Sequence, residues 1–105
     1  KRMIIISGYN VYPIDIENAV LELPFVNEVC AVQGYHKNRP CVKLCVTLKY
    51  PMNHGEVIDS IQSYCKKNLA KFSCPRKIEI FDSLPRTKMA KVDFMALSDK
   101  YTPEG

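Results

Sequence analysis

Val29-Cys30-Ala31-Val32-Gln33-Gly34-Tyr35-His36-Lys37-Asn38-Arg39-Pro40-Cys41-Val42-Lys43-Leu44-Cys45-Val46-Thr47-Leu48-Lys49 is the stretch that decides the fold. Val29 to Tyr35 is a largely apolar run. Beyond the turn-like Lys37 to Pro40, the residues Val42, Leu44, Val46 and Leu48 alternate with Cys41, Lys43, Cys45, Thr47 and Lys49. Successive side chains on a strand point to opposite faces, so this period of two predicts two antiparallel strands with one face on the core.

Toward the N-terminus, Pro13 suits the first turn of a helix, Asp15 and Glu17 favour its positive end, and Ile16, Ala19, Val20 and Leu23 repeat at helical spacing. A helix is expected from about Pro13 to Leu23, stopped by Pro24. Before it, Met3-Ile4-Ile5-Ile6, the turn-forming Ser7 to Asn10 and then Val11-Tyr12 read as a small hairpin.

Toward the C-terminus, Asn53 followed by Glu56 resembles a capping box, and Val57, Ile58, Ile61 and Cys65 mark one face of a second helix from about His54 to Leu69. Lys66 and Lys67 complement the C-terminal end of its dipole. Ile78 and Ile80 around Glu79 predict a third strand, and the polar loop 82–87 leads to a short helix from Lys91 to Leu97. The predicted plan is α+β: a small three-stranded, mainly antiparallel sheet packed with two main helices, preceded by a β-hairpin and followed by a short helical turn.

A chain of 105 residues fits one domain. Residues 98–105 are expected to form a flexible tail. The 47% hydrophobic and 25% charged fractions are those of a soluble globular domain. No run approaches the roughly 18 apolar residues of a membrane span, and the net charge of +4 suits an anionic partner. Cys30, Cys41, Cys45, Cys65 and Cys74 form an odd set without a C-x-x-C pair, so buried thiols in a reducing, cytoplasmic setting are expected rather than disulfides or a metal site. The abrupt start at Lys1-Arg2-Met3 reads as a piece of a larger protein.

His36 and His54 are the only imidazoles, one in a turn and one near a helix start, and both read as solvated. Two other stretches stand out: residues 1–17, KRMIIISGYNVYPIDIE, and residues 84–93, LPRTKMAKVD. Between them lie Leu23-Pro24-x-Val26 with Val32-x-Gly34, and Leu69-Ala70-x-Phe72-x-x-Pro75. In this order the four resemble the signatures of the C-terminal domain in the superfamily of acyl-CoA synthetases, peptide-synthetase adenylation domains and firefly-type luciferases. The wording Gly8-Tyr9-Asn10-Val11-Tyr12-Pro13 leans toward the acyl-CoA ligases.

The resemblance implies an AMP-forming ligase that activates a carboxylic acid with ATP and Mg²⁺ and passes the acyl group from the adenylate to coenzyme A. Lys91 matches the lysine that is catalytic for adenylation, and Lys1 matches the hinge residue, seven positions before Gly8. Ser7, Gly8, Tyr9 and Asn10 match the glycine loop that lines the coenzyme A channel after the domain rotates. Arg76, Lys77, Arg86 and Lys88 are candidate contacts for coenzyme A phosphates, because a basic rim attracts a polyanion. The partner would be the enzyme's own N-terminal adenylation domain, which carries most of the nucleotide and acyl pockets. No bound cofactor, metal or nucleic acid is expected for this chain alone.

Taken singly, Lys91 is one of 11 lysines and would read as a solvated surface charge, and Gly8 as an ordinary turn glycine. Four positions depart from the family pattern. Ala90 replaces a glycine, Phe94 a frequent arginine and Ile5 a frequent lysine, and 37–40 lacks the usual Gly-Glu. If the loop needs a positive φ at position 90, the Ala90 Cβ adds about 1 kcal/mol of strain and alters the presentation of Lys91. The rival readings are a stand-alone α+β module binding RNA or an acyl-carrier protein, and a degenerate lid that has lost catalysis. For RNA, the sheet lacks the stacking aromatic pattern.

Overall fold

The computed structural model describes residues 2–101. Lys1, assigned to the hinge, and residues 102–105 of the expected tail lie outside the described residues. The chain forms β1 (Ile4–Ile6), β2 (Tyr9–Val11), α1 (Pro13–Val20), β3 (Val26–His36), β4 (Arg39–Leu48), α2 (His54–Asn68), a 3-10 turn (Lys71–Ser73), β5 (Lys77–Ile80) and α3 (Phe94–Leu97). β1 and β2 form the expected hairpin, and β3-β4-β5 a separate three-stranded sheet.

β3 and β4 pair antiparallel over their whole length, with Cys30 opposite Cys45 and Ala31 opposite Leu44. β5 joins β4 in parallel, Lys43 opposite Lys77 and Val46 opposite Ile80. The parallel pairing follows from connectivity. α2 carries the chain back across the sheet, so β5 enters from the same end as β4.

Local chemistry explains the helix ends. Pro13 occupies the first turn of α1, and the Asn53 side chain caps α2 by accepting the Glu56 N–H at 3.0 Å. α1 stops at Val20, earlier than the expected Leu23. The Glu22 and Leu23 N–H groups bond three residues back, to Ala19 and Val20, and this tightening ends the helix. α3 is also shorter than expected. Lys91 and Val92 are not helical, and the helix starts after Asp93, whose carboxylate accepts the Ala96 N–H.

The prediction of one core face was too weak. On the first face Ala31, Val42, Leu44 and Val46 pack with Ile16 and Val20 of α1, Val57 and Ile61 of α2, and Ile4 and Val11 of the hairpin. Complete burial of side chains such as Leu44 and Ile61 contributes roughly 2 to 3 kcal/mol each. The opposite face is covered too: Cys30, Val32 and Cys45 lie under Leu84, Leu97, Phe81 and Val92. Cys41 to Thr47 are consequently all buried.

The cover is the segment 84–99, which crosses the back of the sheet as a strap. The expected flexible tail differs over its described part. The Asp99 N–H donates to the Gln33 carbonyl at 2.9 Å, Asp99 pairs with Lys43 and Lys77, and Tyr101 packs edge-on against Tyr35. Among the described residues no helix is long and apolar enough to cross a membrane.

Candidate functional site

Two exposed loops carry the sequence signatures, and they rest on opposite faces of the three-stranded sheet. The hairpin bearing Ser7 and Gly8 packs through Ile4 and Val11 on the first core, and the strap bearing Lys91 packs through Leu84, Val92 and Leu97 on the second.

The Lys91 loop is a small closed turn. Arg86 and Val92 form an isolated antiparallel bridge, the Thr87 N–H donates to the Lys91 carbonyl at 2.8 Å, and the Ala90 N–H donates to the Thr87 carbonyl at 2.9 Å. Backbone hydrogen bonds thus hold the base of Lys91 while its side chain stands in solvent, and among the described residues it forms no ion pair. Arg86 pairs with Glu28, tying the start of the loop to β3.

Ala90 has φ +62°, in the left-handed region. A Cβ there costs roughly 1 to 2 kcal/mol, and the looser unfolded chain of a glycine variant returns about 0.4 to 1 kcal/mol of that. Ala90→Gly is therefore expected to stabilise the protein by about 0.5 kcal/mol, whereas a β-branched Ala90→Val is expected to destabilise it by more than 1 kcal/mol. Urea unfolding of the two variants checks this, and a lower midpoint for the glycine variant would contradict it.

The glycine loop takes the other side. Ser7 has φ +50° and Gly8 φ +83°, a turn that brings Tyr9 back opposite Ile6. The Tyr9 ring stacks on Phe72 of the 3-10 turn, centroids 4.1 Å apart and planes 4° from parallel. The glycine-loop motif and the L-A-x-F motif therefore meet in space. Beside the stack lies a groove of about 680 Å³ lined by Ser7, Tyr9, Lys37, Arg39, Lys71 and Arg76, with His36, Pro40 and Phe72. Four basic side chains around one concave surface focus a positive potential suited to a polyanion.

The four basic residues singled out in the sequence do not act together. Arg76 lines the groove, its N–H anchored on the Val42 carbonyl at 3.1 Å. Lys77 is drawn to the back of the sheet by Asp99, and Arg86 by Glu28. Lys88 is exposed on the Lys91 loop, away from the groove lining. The groove's other cations, Lys37, Arg39 and Lys71, were not legible in the sequence. The β3–β4 turn, where Lys37 and Asn38 both have positive φ, brings Lys37 and Arg39 to the hairpin, and the 3-10 turn supplies Lys71.

Where the chain enters the domain, Arg2 is held by several groups. Its guanidinium donates two hydrogen bonds to Glu17, at 2.8 and 3.0 Å, and one to the Ala31 carbonyl at 3.1 Å. It also lies over the Phe94 ring, 5.2 Å from the centroid. Glu17 is 7% exposed and accepts the Ala31 N–H at 2.8 Å. It is thus turned into the protein and does not serve the helix dipole as expected. The Glu17 hydrogen bond outweighs desolvation and holds the Arg2 pKa above its ordinary value.

Cys30, Cys41, Cys45 and Cys65 are buried, Cys74 is half-buried, and all are free thiols. Burial pushes the Cys30 and Cys65 pKa values up to about 11 and that of Cys45 to about 12, so these three are poor nucleophiles. Among the described residues no group of three or more His, Cys, Asp or Glu side chains is arranged to hold a metal ion.

Comparison with known proteins gives a consistent result. Residues 15–91 match the family described as the AMP-binding enzyme C-terminal domain. A long-chain-fatty-acid–CoA ligase from Escherichia coli is 35% identical over 101 residues, covering 95% of this chain and 18% of the relative. Among solved structures, an acyl-CoA synthetase from Brucella canis superposes with a TM-score of 0.81 at 31% identity, over 93% of this chain and 18% of that one. An o-succinylbenzoate CoA synthetase from Bacillus subtilis, solved with its acyl-adenylate intermediate, gives 0.76 at 31% identity, over 97% and 20%. The chain thus spans about a fifth of the length of these relatives.

Proposed function

Since the chain belongs to the AMP-binding enzyme C-terminal domain family, we propose that it is the mobile lid of an AMP-forming acyl-CoA synthetase. That enzyme would join a carboxylate to ATP, release pyrophosphate and then transfer the acyl group to coenzyme A. The observation that carries the reading is the arrangement of two exposed loops, Lys91 and Ser7 to Asn10, on opposite faces of one small sheet.

Adenylation brings a carboxylate against the α-phosphate, so negative charge accumulates between two anionic groups. The Lys91 ammonium, a compact charge with three donors, would bridge them. Its freedom from ion pairs among the described residues and the backbone bracing of its loop suit that role. Thioester formation needs a different surface at the same centre. Rotation about a hinge at Lys1 would withdraw Lys91 and bring in the opposite face, with the partner being the enzyme's own N-terminal domain.

In that pose Ser7, Gly8, Tyr9 and Asn10 would line the pantetheine channel, and Arg76 with Lys37, Arg39 and Lys71 would meet the phosphates at its outer end. Lys77, Arg86 and Lys88 do not line this groove, so of these four basic residues Arg76 would contribute there. Mg²⁺ would screen the nucleotide phosphates. No residue of this chain is assigned to it, since no ligand cluster exists among the described residues. A cytoplasmic location fits five free thiols. A stand-alone module for RNA or an acyl-carrier protein is not favoured, because the matched relatives are ligases in which this domain is one part.

Gly8 offers a direct test of the thioester face. A Cβ built on Gly8 would have no heavy atom within 4 Å, so in the free domain Gly8→Ala meets only its backbone strain of φ +83°, about 1 kcal/mol. In the full-length ligase the variant is expected to slow thioester formation about tenfold by obstructing close approach of the ligand, with acyl-dependent pyrophosphate exchange retained. Equal loss in both half-reactions would argue against a coenzyme A channel at this loop.

A further inference from the structure

Lys43 sits in the middle of β4 with 8% of its surface exposed. A buried ammonium is costly unless every donor finds a partner. Its Nζ donates to the Leu97 carbonyl at 3.0 Å and to Asp99 Oδ1 at 3.0 Å, and Glu79 Oε1 lies 3.3 Å away. The second Asp99 oxygen accepts from Lys77 on β5. The Asp99 N–H is bonded to Gln33 on β3, so strands β3, β4 and β5 all converge on one residue of the strap.

Gly34 makes the convergence possible. A Cβ at Gly34 would stand 2.9 Å from the Lys43 Cβ, closer than side chains tolerate, and a tight 3.1 Å from Asp99 Oδ2. A glycine inside a strand loses conformational entropy without packing in return, and close approach of other atoms is a standard reason for one.

An apolar pair would hold the strap to the sheet at least as firmly as buried charges do. Leu84 and Leu97 already supply that adhesion, at 3% and 4% exposure. Apolar contacts are non-directional and permit sliding, whereas N–H···O bonds to a carboxylate and a carbonyl fix depth and register. The exposed turn that presents Lys91 lies between the apolar anchor at Leu84 and the polar anchor at Asp99. Resting on the ligase reading above, we infer that Lys43, Lys77 and Asp99 form a positioning clip that sets where Lys91 stands for adenylation.

Electrostatics agree with the geometry. Desolvation works against the Asp99 carboxylate, yet the hydrogen bonds from Lys77 and Lys43 outweigh it and keep its pKa below the ordinary value. At Lys43 desolvation is likewise outweighed, by Asp99 and Glu79, and the pKa is raised. The Lys43–Asp99 pair therefore stays ionised at neutral pH.

The test uses the full-length ligase, with acyl-dependent pyrophosphate exchange and thioester formation from supplied acyl-adenylate measured side by side. Asp99→Asn keeps the shape and removes the charge. It is expected to slow exchange about tenfold while thioester formation stays within about twofold, because a misplaced Lys91 matters only to the first step. Lys77→Met, at a side chain already 38% exposed, is expected to fold normally and to shift exchange in the same direction by a smaller factor. Lys91→Ala serves as the reference. If it abolishes exchange while Asp99→Asn and Lys77→Met leave exchange intact or slow both steps alike, the clip is refuted and the ligase reading stands. If the parent protein shows no acyl-dependent exchange, the ligase reading itself fails, and if Lys91→Ala leaves exchange intact, the Lys91 assignment and the clip fail together. If Asp99→Asn does not fold, Lys77→Met decides alone, and unchanged exchange in it overturns the clip.

Discussion

On the proposed ligase reading, Lys91→Ala in the full-length protein is expected to lower acyl-dependent pyrophosphate exchange on the order of 10²- to 10³-fold, the loss typical of deleting one preorganised group that stabilises developing charge. Thioester formation from supplied acyl-adenylate is expected to survive, because in the proposed rotated pose this face has left the reacting centre. The asymmetry is the informative part. The Lys91 side chain contributes to neither hydrophobic cluster and to no ion pair among the described residues, so its removal should not unfold the domain. A variant that loses both half-reactions equally, or keeps normal exchange, would falsify the assignment. Lys91→Arg is expected to rescue poorly, since a planar fork does not replace a compact ammonium between two anions.

The second large effect falls on stability. Glu17→Ala removes the acceptor of two of the Arg2 hydrogen bonds and of the Ala31 N–H in one step. Breaking a buried pair costs about 3 to 5 kcal/mol, and the cost is reduced here because the Arg2 side chain is 31% exposed and can regain water. A loss of about 2 to 3 kcal/mol is expected, seen as a lower urea midpoint with an unchanged slope. Glu17→Gln retains an acceptor for the Ala31 N–H and is expected to lose less. Identical midpoints for Glu17→Ala and the parent chain would mean that Arg2 and Ala31 find water or other partners at little cost. Arg2 directly follows the proposed hinge position and also touches Phe94 of α3. The network thus ties the entry of the chain to both α1 and the strap.

The basic residues show how far sequence reasoning reaches into a site. Arg76, Lys77, Arg86 and Lys88 look alike as a string of positive charges, but Asp99 and Glu28 take two of them out of circulation and the strap carries the fourth elsewhere. The groove instead draws Lys37, Arg39 and Lys71 from segments far apart in the chain. Charge pairing between distant residues leaves no periodic trace, so no pattern in the sequence distinguishes a paired lysine from a free one.

The sequence does carry traces of the covered second face. Lys43 stands between Cys41 and Cys45 on the β4 face opposite Val42, Leu44 and Val46, and two such thiols flanking a charge are a poor solvent face. Gly34, inside a strand-like run, was a second hint of close approach. Ala90 stands where the family pattern has a glycine, and its φ of +62° is the left-handed conformation that glycine favours.

The sequence by itself determined the local elements. The period of two made β3 and β4, the helical spacing with Pro13 and Asn53 made α1 and α2, and the spaced motifs identified the family, because these signals reside in neighbouring residues. Only the tertiary structure decided which faces are covered. It set β5 parallel to β4, laid the strap over the second face, and paired Arg2 with Glu17 and Lys43 with Asp99. Those outcomes depend on where the chain returns after dozens of residues, and on buried charges finding partners there, which no local pattern encodes.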